Sequence, residues 1–304
     1  MGDPPQVDYK APDLPALHRA MDSVSIGVQR RYLLLLSGDL LALLIGALVS
    51  SFDVHQQWRQ LAHVATGALF AVSIVLTLAL ALKSYERSWY RARAGAESIK
   101  TLAWRYMTCA PPYPRDLRGR DADDRFTSDL RAVLGESEDV PLAPAAKAAV
   151  GSQITAAMRE VRGSDLKRRK SSYLIHRVED QQRWYSEKAG TNETSGNRWF
   201  LAMIVAQGAA LVSAVAQVAK PDLRLDINSA LAAVAAACMA WLQGKRFEGL
   251  AQSYAVAAHE LGLIAAQGPH VETDAELAKF VVSAEEAISR EHTLWVAKRD
   301  RTLG

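Results

Sequence analysis

Cysteine is almost absent from this 304-residue sequence. Cys109 and Cys238 stand alone, which excludes a disulfide framework, and each thiol reads as a small apolar filler. Catalytic signatures are missing as well. There is no Gly-rich phosphate loop, and His259-Glu260 lacks the second histidine that would complete a zinc site. No Ser/His/Asp order or nucleophile elbow occurs. These absences speak against an enzyme and point to no catalytic residue, no metal ligand and no cofactor. No strand-like alternation appears, so the expected fold is all-α. A cleavable signal peptide is not expected: the first apolar run begins about thirty residues in, follows a polar, Pro-containing leader and is too long for a signal h-region.

Charge is nearly missing from four stretches: 32–52, 61–82, 199–219 and 227–244. Each is close to the roughly 20 residues that a helix needs to cross a hydrocarbon core of about 30 Å. They form two pairs, each joined by a short polar link. A constant shift carries the first pair onto the second, 32–52 onto 197–217 and 61–82 onto 226–247, so one two-helix unit occurs twice. The near-zero mean hydropathy is therefore a mixture of membrane and aqueous parts. It does not describe one globular core.

The net charge of +3 says little, but the placement of the cations says more. Arg30 and Arg31 precede the first stretch, and Lys83, Arg87, Arg91 and Arg93 follow the second. Lys188 and Arg198 precede the third, and Lys245 and Arg246 follow the fourth. The links 53–60 and 220–226 are nearly balanced. The positive-inside rule then puts both termini and the middle segment in the cytosol.

The expected organisation is a loose tail (1–12), a first unit (13–114), a cytosolic connector (115–165) and a second unit (166–300). Three-four spaced stripes flank the spans: Leu14, Leu17, Met21, Val24, Val28; then Tyr85, Trp89, Ala92, Ala96, Ile99, Ala103, Tyr106; then Phe247, Leu250, Tyr254, Ala257, Leu261, Ile264. Leu277, Val281, Ala284, Ile288 and Trp295 line a last helix. Proline should stop one helix at 110–114. Short helices are expected at 125–134 and 145–162. Gly163-Ser164-Asp165 breaks and caps the chain before a helix over 166–189, and 192–196 reads as a turn. The whole is two membrane hairpins, four spans, continuing into a cytosolic helical bundle.

Asp39 is the sharpest candidate. It lies roughly 10 Å inside the cytosolic end of the first span, where an ionised carboxylate is costly. Counting back along an antiparallel neighbour puts Ser73 and Thr77 within its reach. Two readings stand: a group lining an ion path or sensing protons, and a hydrogen-bonded structural acid. Gln207 occupies a nearby face of the third span; it reads either as part of a polar ring around a conduit or as an interhelical hydrogen-bonding group. Gly38, Ala42, Gly46 and Ser50 recur every four residues, as do Ser229, Ala233 and Ala237, which lets helix backbones approach closely. Lys167-Arg168-Arg169-Lys170 reads either as an anionic-lipid site or as a solvated helix end. Trp89, Trp104, Trp184 and Tyr254 read as bundle-packing residues.

Two runs resemble a known family. One is Tyr173-Leu174-Ile175-His176-Arg177-Val178-Glu179-Asp180-Gln181-Gln182-Arg183-Trp184-Tyr185-Ser186-Glu187-Lys188-Ala189, followed by a hairpin and then by Arg246-Phe247-Glu248-Gly249-Leu250-Ala251-Gln252-Ser253-Tyr254. This is similar to SLATT domains, the SMODS- and SLOG-associating two-transmembrane effector domains. The first half, with Trp89-Tyr90-Arg91-Ala92-Arg93, Trp104-Arg105-Tyr106-Met107 and Pro112-Tyr113, resembles a second SLATT subtype. The resemblance implies a multi-pass protein of a bacterial inner membrane, with lipid and other copies of itself as neighbours. It further implies a pore-forming effector of an anti-phage conflict system, coupled to a nucleotide-generating or nucleotide-sensing partner and not to nucleic acid directly. A non-conducting scaffold that holds a cytosolic partner and a housekeeping ion channel are the alternatives.

Overall fold

The computed structural model describes residues 13–51, 55–137, 140–220 and 227–300, with side chains up to Ser289. The tail 1–12, most of the second hairpin link and the Trp295 side chain lie outside the described residues. Among the described residues every regular element is a helix. The order is α1 Ala16–Ser51, α2 Gln56–Leu82, α3 Tyr85–Thr108, α4 Gly119–Gly135, α5 Ala156–Gly163, α6 Leu166–Tyr173, a π-helical turn Leu174–Glu179, α7 Asp180–Ala219, α8 Asn228–Lys245, α9 Phe247–Ala265 and α10 Asp274–Asp300. Two short 3-10 turns, Ala143–Ala145 and Gly268–His270, complete it.

Local chemistry accounts for the boundaries. α3 stops at Cys109, which takes a left-handed φ of 59° just before Pro111 and Pro112, where the backbone loses its donor. Asp165 caps α6, its side chain accepting from the Arg168 amide at 2.8 Å. α10 opens with a reciprocal box: the Glu276 amide donates to Thr273 Oγ1 at 3.2 Å, and the Thr273 amide donates to Glu276 Oε2 at 3.1 Å. Arg246, at φ 52°, makes the break between α8 and α9.

Three expectations are corrected. The single helix expected at 145–162 is a 3-10 turn, an irregular stretch and the short α5. Gly151 holds φ 138°, and the residues after it serve the start of α1 instead. Ser152 O accepts from the Ala16 amide at 3.2 Å and Gln153 Oε1 accepts from the Leu17 amide at 3.0 Å, so two otherwise unpaired helix-start donors are satisfied. The turn expected at 192–196 is absent, because α7 runs unbroken for 40 residues. Gly196 there answers to packing: a Cβ on it would lie 3.1 Å from Phe247 Cβ. The helix expected at 125–134 is longer, with Ala122, Phe126 and Leu130 burying one face of α4.

Three helical runs are long and apolar enough to cross a bilayer: α1, α2 and the run Leu166–Ala219 that ends in α7. α8, expected as the fourth span, is an 18-residue Ala-rich helix with Asn228, Gln243 and Lys245 near its ends, and it is not among them. The chain divides into two compact units that interleave along the sequence. One is built from 1–27, 87–188 and 253–304, the other from 28–86 and 189–252. The first has a dense mixed core that includes Met21, Ile99, Trp104, Phe126, Tyr173 and Val281. In the second, Met203 and Ala206 of α7 pack against Ala235 and Cys238 of α8, with Val234 and Leu242 beside them.

Candidate functional site

In the second unit Asp39 sits where α1 meets α2. Ser73 Oγ donates to Asp39 Oδ1 at 2.5 Å, and Thr77 Oγ1 donates to Oδ2 at 3.4 Å. Ser73 and Thr77 are four residues apart and share one face of α2, so both reach the same carboxylate. Two hydroxyl donors lower the cost of a charge in an apolar helix and leave lone pairs free for a proton or a cation. The small residues next to it explain the close approach. A Cβ on Gly38 would lie 3.5 Å from Leu76 Cδ1, and one on Gly46 would lie 3.9 Å from Leu69 Cβ. Ala42, between them, is buried. This stripe therefore packs within one chain. Ala233 and Ala237 on α8 are half-buried. At the far end of the unit, Ser51 Oγ and Ser229 Oγ lie 2.8 Å apart, and Asn228 donates to Gln217 at 3.1 Å. Gln207 is exposed on α7 and makes no hydrogen bond to another described residue.

The other unit holds a polar centre that the sequence reading missed. Arg177, on the π turn, and Glu285, on α10, are both fully buried and form a two-pronged pair: Nε to Oε1 at 2.9 Å and Nη2 to Oε2 at 2.7 Å. Tyr173 OH donates to Glu285 Oε1 at 3.0 Å and Thr101 Oγ1 to Oε2 at 2.7 Å. Arg177 Nη1 donates to Gln181 Oε1 at 3.1 Å, and Lys100 Nζ donates to the same oxygen at 3.3 Å. Glu97 adds an ion pair to Arg177 at 3.5 Å. Burial and the Arg177 charge hold the Lys100 amine below its ordinary pKa. Burial and Lys100 do the same to His18. One signal was present: Glu285 follows Val281 by four and precedes Ile288 by three, an acid within the apolar stripe of α10.

The aromatic candidates lie in the same unit. Trp104 is buried, edge-on to Tyr173 at 5.6 Å. Trp184 meets Tyr254 at 5.4 Å and Tyr185 at 5.2 Å, and the Arg93 guanidinium lies over its ring at 5.4 Å. Trp89 is half-buried and stacked on Tyr90 at 4.5 Å.

The basic run 167–170 is corrected. Only Lys167 is exposed. Arg168 pairs with Glu160. Arg169 is buried, donating to Asp274 Oδ1 at 2.5 Å and to Thr108 O at 3.2 Å. Lys170 donates to Val271 O at 2.9 Å. α6 packs between α5 and α10, so three of its four cations are spent on the chain itself and do not form one solvated basic face. Among the described residues no cluster of His, Cys, Asp and Glu could hold a metal ion.

A chain whose described regular elements are all helices, with long apolar runs and a carboxylate shared between two of them, is a helical membrane protein. It belongs to the SLATT family: the model for SMODS and SLOG-associating 2TM effector domain 3 matches residues 15–170, and that for domain 1 matches 173–295. The two SLATT domains stand in tandem, and their junction falls in α6, just before the π turn. No curated protein and no solved structure gives a match.

Proposed function

We propose that this protein is a membrane effector that assembles with copies of itself into an ion-conducting pore, in a bacterial conflict system with a nucleotide-generating or nucleotide-sensing partner. It lies in the inner membrane with four spans and both termini cytosolic. The family supports the effector role, since SLATT domains are two-transmembrane effector domains and the chain carries two. Two domains of a two-transmembrane family support α8 as the fourth span, and the flanking cations support the orientation. The observation that carries conduction is Asp39, a carboxylate in an apolar helix with Ser73 and Thr77 donating to it. Four spans are too thin a bundle to enclose a wide conduit, so conduction requires self-assembly.

The test is ion flux from liposomes that carry the purified full-length protein, with and without cyclic nucleotides. Protein-dependent flux, most of it lost in Asp39→Asn with insertion intact, is the expected result. The in-chain hydroxyl partners of Asp39 also favour a second reading, a non-conducting scaffold in which this acid is structural. Liposomes that stay sealed under every condition, with insertion verified, would select the scaffold.

A further inference from the structure

Gln207 lies about 12 Å along α7 from Trp199, well inside the apolar part of that helix. It is exposed, and so are its neighbours on the same face: Phe200 at 54%, Ile204 at 44% and Leu211 at 66%. Hydrocarbon offers an amide no hydrogen bond, so an amide left there carries an uncompensated desolvation cost. Several other polar side chains in the apolar helices find partners inside the chain. Asp39 takes two hydroxyls, Ser37 and Ser50 donate to carbonyls of their own helix, and Gln217 accepts from Asn228. Gln207 has no such partner among the described residues.

We infer that the α7 face around Gln207 is the surface on which a second copy of this chain packs, with the Gln207 amides of the two copies bonded to each other. The inference rests on the self-assembly in the proposal above and names its contact face. Three observations carry it. A glutamine amide has donors and an acceptor, so it is its own complement across a symmetric contact. Met203 and Ala206, beside it on α7, are covered by α8, whereas Gln207 at the margin of that contact is exposed. The sequence repeat adds the third. The residue that corresponds to Gln207 in the first hairpin is Ala42, and Ala42 is buried. The same position of the two-helix unit is covered within the chain in one hairpin and uncovered in the other. Gly208, with nothing within 4 Å of its Cβ position, leaves room for a close neighbour.

Cysteine cross-linking in native membranes tests this, with the unsubstituted chain as blank, since its own Cys109 and Cys238 are buried. Ile204→Cys and Leu211→Cys should give oxidised dimers. Val75→Cys, equally exposed on α2, should give few. Adding Gln207→Leu to Leu211→Cys should reduce the dimer about fivefold, the size of one interhelical amide bond, and Gln207→Asn should restore most of it. Cross-linking at Val75 equal to that at Leu211, or none at 204 and 211 although both thiols are accessible, would overturn the inference. If Gln207→Leu does not insert, the comparison of 204 and 211 with 75 still decides. Flux from the same membranes separates the two proposals. Dimers without flux keep this contact face and remove conduction, whereas flux without dimers through α7 keeps conduction and removes this face.

Discussion

At the scale of single residues the chain contains two polar centres with different physics. Asp39 sits in an apolar helix and is stabilised by neutral hydroxyls. Glu285 sits in a protein core and is neutralised by the two-pronged guanidinium of Arg177, a geometry that lysine cannot reproduce. Every oxygen of Glu285 has at least two donors, and Arg177 is further shared with Gln181 and Glu97. Removing one partner strands the other charge. Arg177→Ala is therefore expected to cost about 3–5 kcal/mol, while Arg177→Leu with Glu285→Leu should recover most of that loss. Thermal unfolding of the full chain in detergent, followed by helical circular dichroism, measures both. A double variant no more stable than Arg177→Ala would mean that the pair itself, not its satisfaction, holds the unit together.

At the scale of elements, side chains cap the starts of α5, α6 and α10, and backbone conformation ends α3 and α8. α5 and α6 are only eight residues each, below the length at which an isolated helix holds. Their caps matter accordingly: Thr155 accepts from the Met158 amide at 3.2 Å and Asp165 accepts from the Arg168 amide at 2.8 Å. Asp165→Ala should destabilise the unit by about 1 kcal/mol, and Asp165→Asn by much less. The same unfolding measurement reads this, and equal losses for both variants would show that the carboxylate acts by charge and not as a cap. The π turn that follows α6 is the other element with a purpose: it carries Arg177, and π-helical turns concentrate at functional sites. α7 shows the opposite case. Threonine, asparagine, serine and two glycines over 190–196 look like a loop, yet no proline interrupts them and the helix passes through.

At the scale of the whole molecule, the repeat and the compact units do not coincide. The two SLATT matches divide the chain near its middle, whereas each compact unit draws residues from both halves. Four spans would place both hairpin links on one side of the membrane and 115–165 and the C-terminal region on the other. Single cysteines in intact cells test this: Gln57→Cys and Lys220→Cys should react with an impermeant maleimide, while Ser128→Cys and Gln267→Cys should react only after permeabilisation. All four positions are exposed. External labelling at Gln267 would mean that α8 does not cross and that the number of spans is odd.

The helical class, the repeated hairpin, the helix stop before Pro111 and the cap at Asp165 were legible in the sequence, because apolar period, proline and capping chemistry act over a few neighbouring residues. The meeting of Asp39 with Ser73 and Thr77 was within reach of counting, since an antiparallel hairpin with a short link pairs residues at equal depth. Arg177 and Glu285 were not within reach. They lie 108 residues apart and meet only because α10 packs against the turn that carries Arg177, which no local pattern encodes. The same holds for Arg169 and for the open face at Gln207. The sequence shows that a residue is charged or polar, but the packing of the other helices decides whether that residue is paired, buried or left exposed.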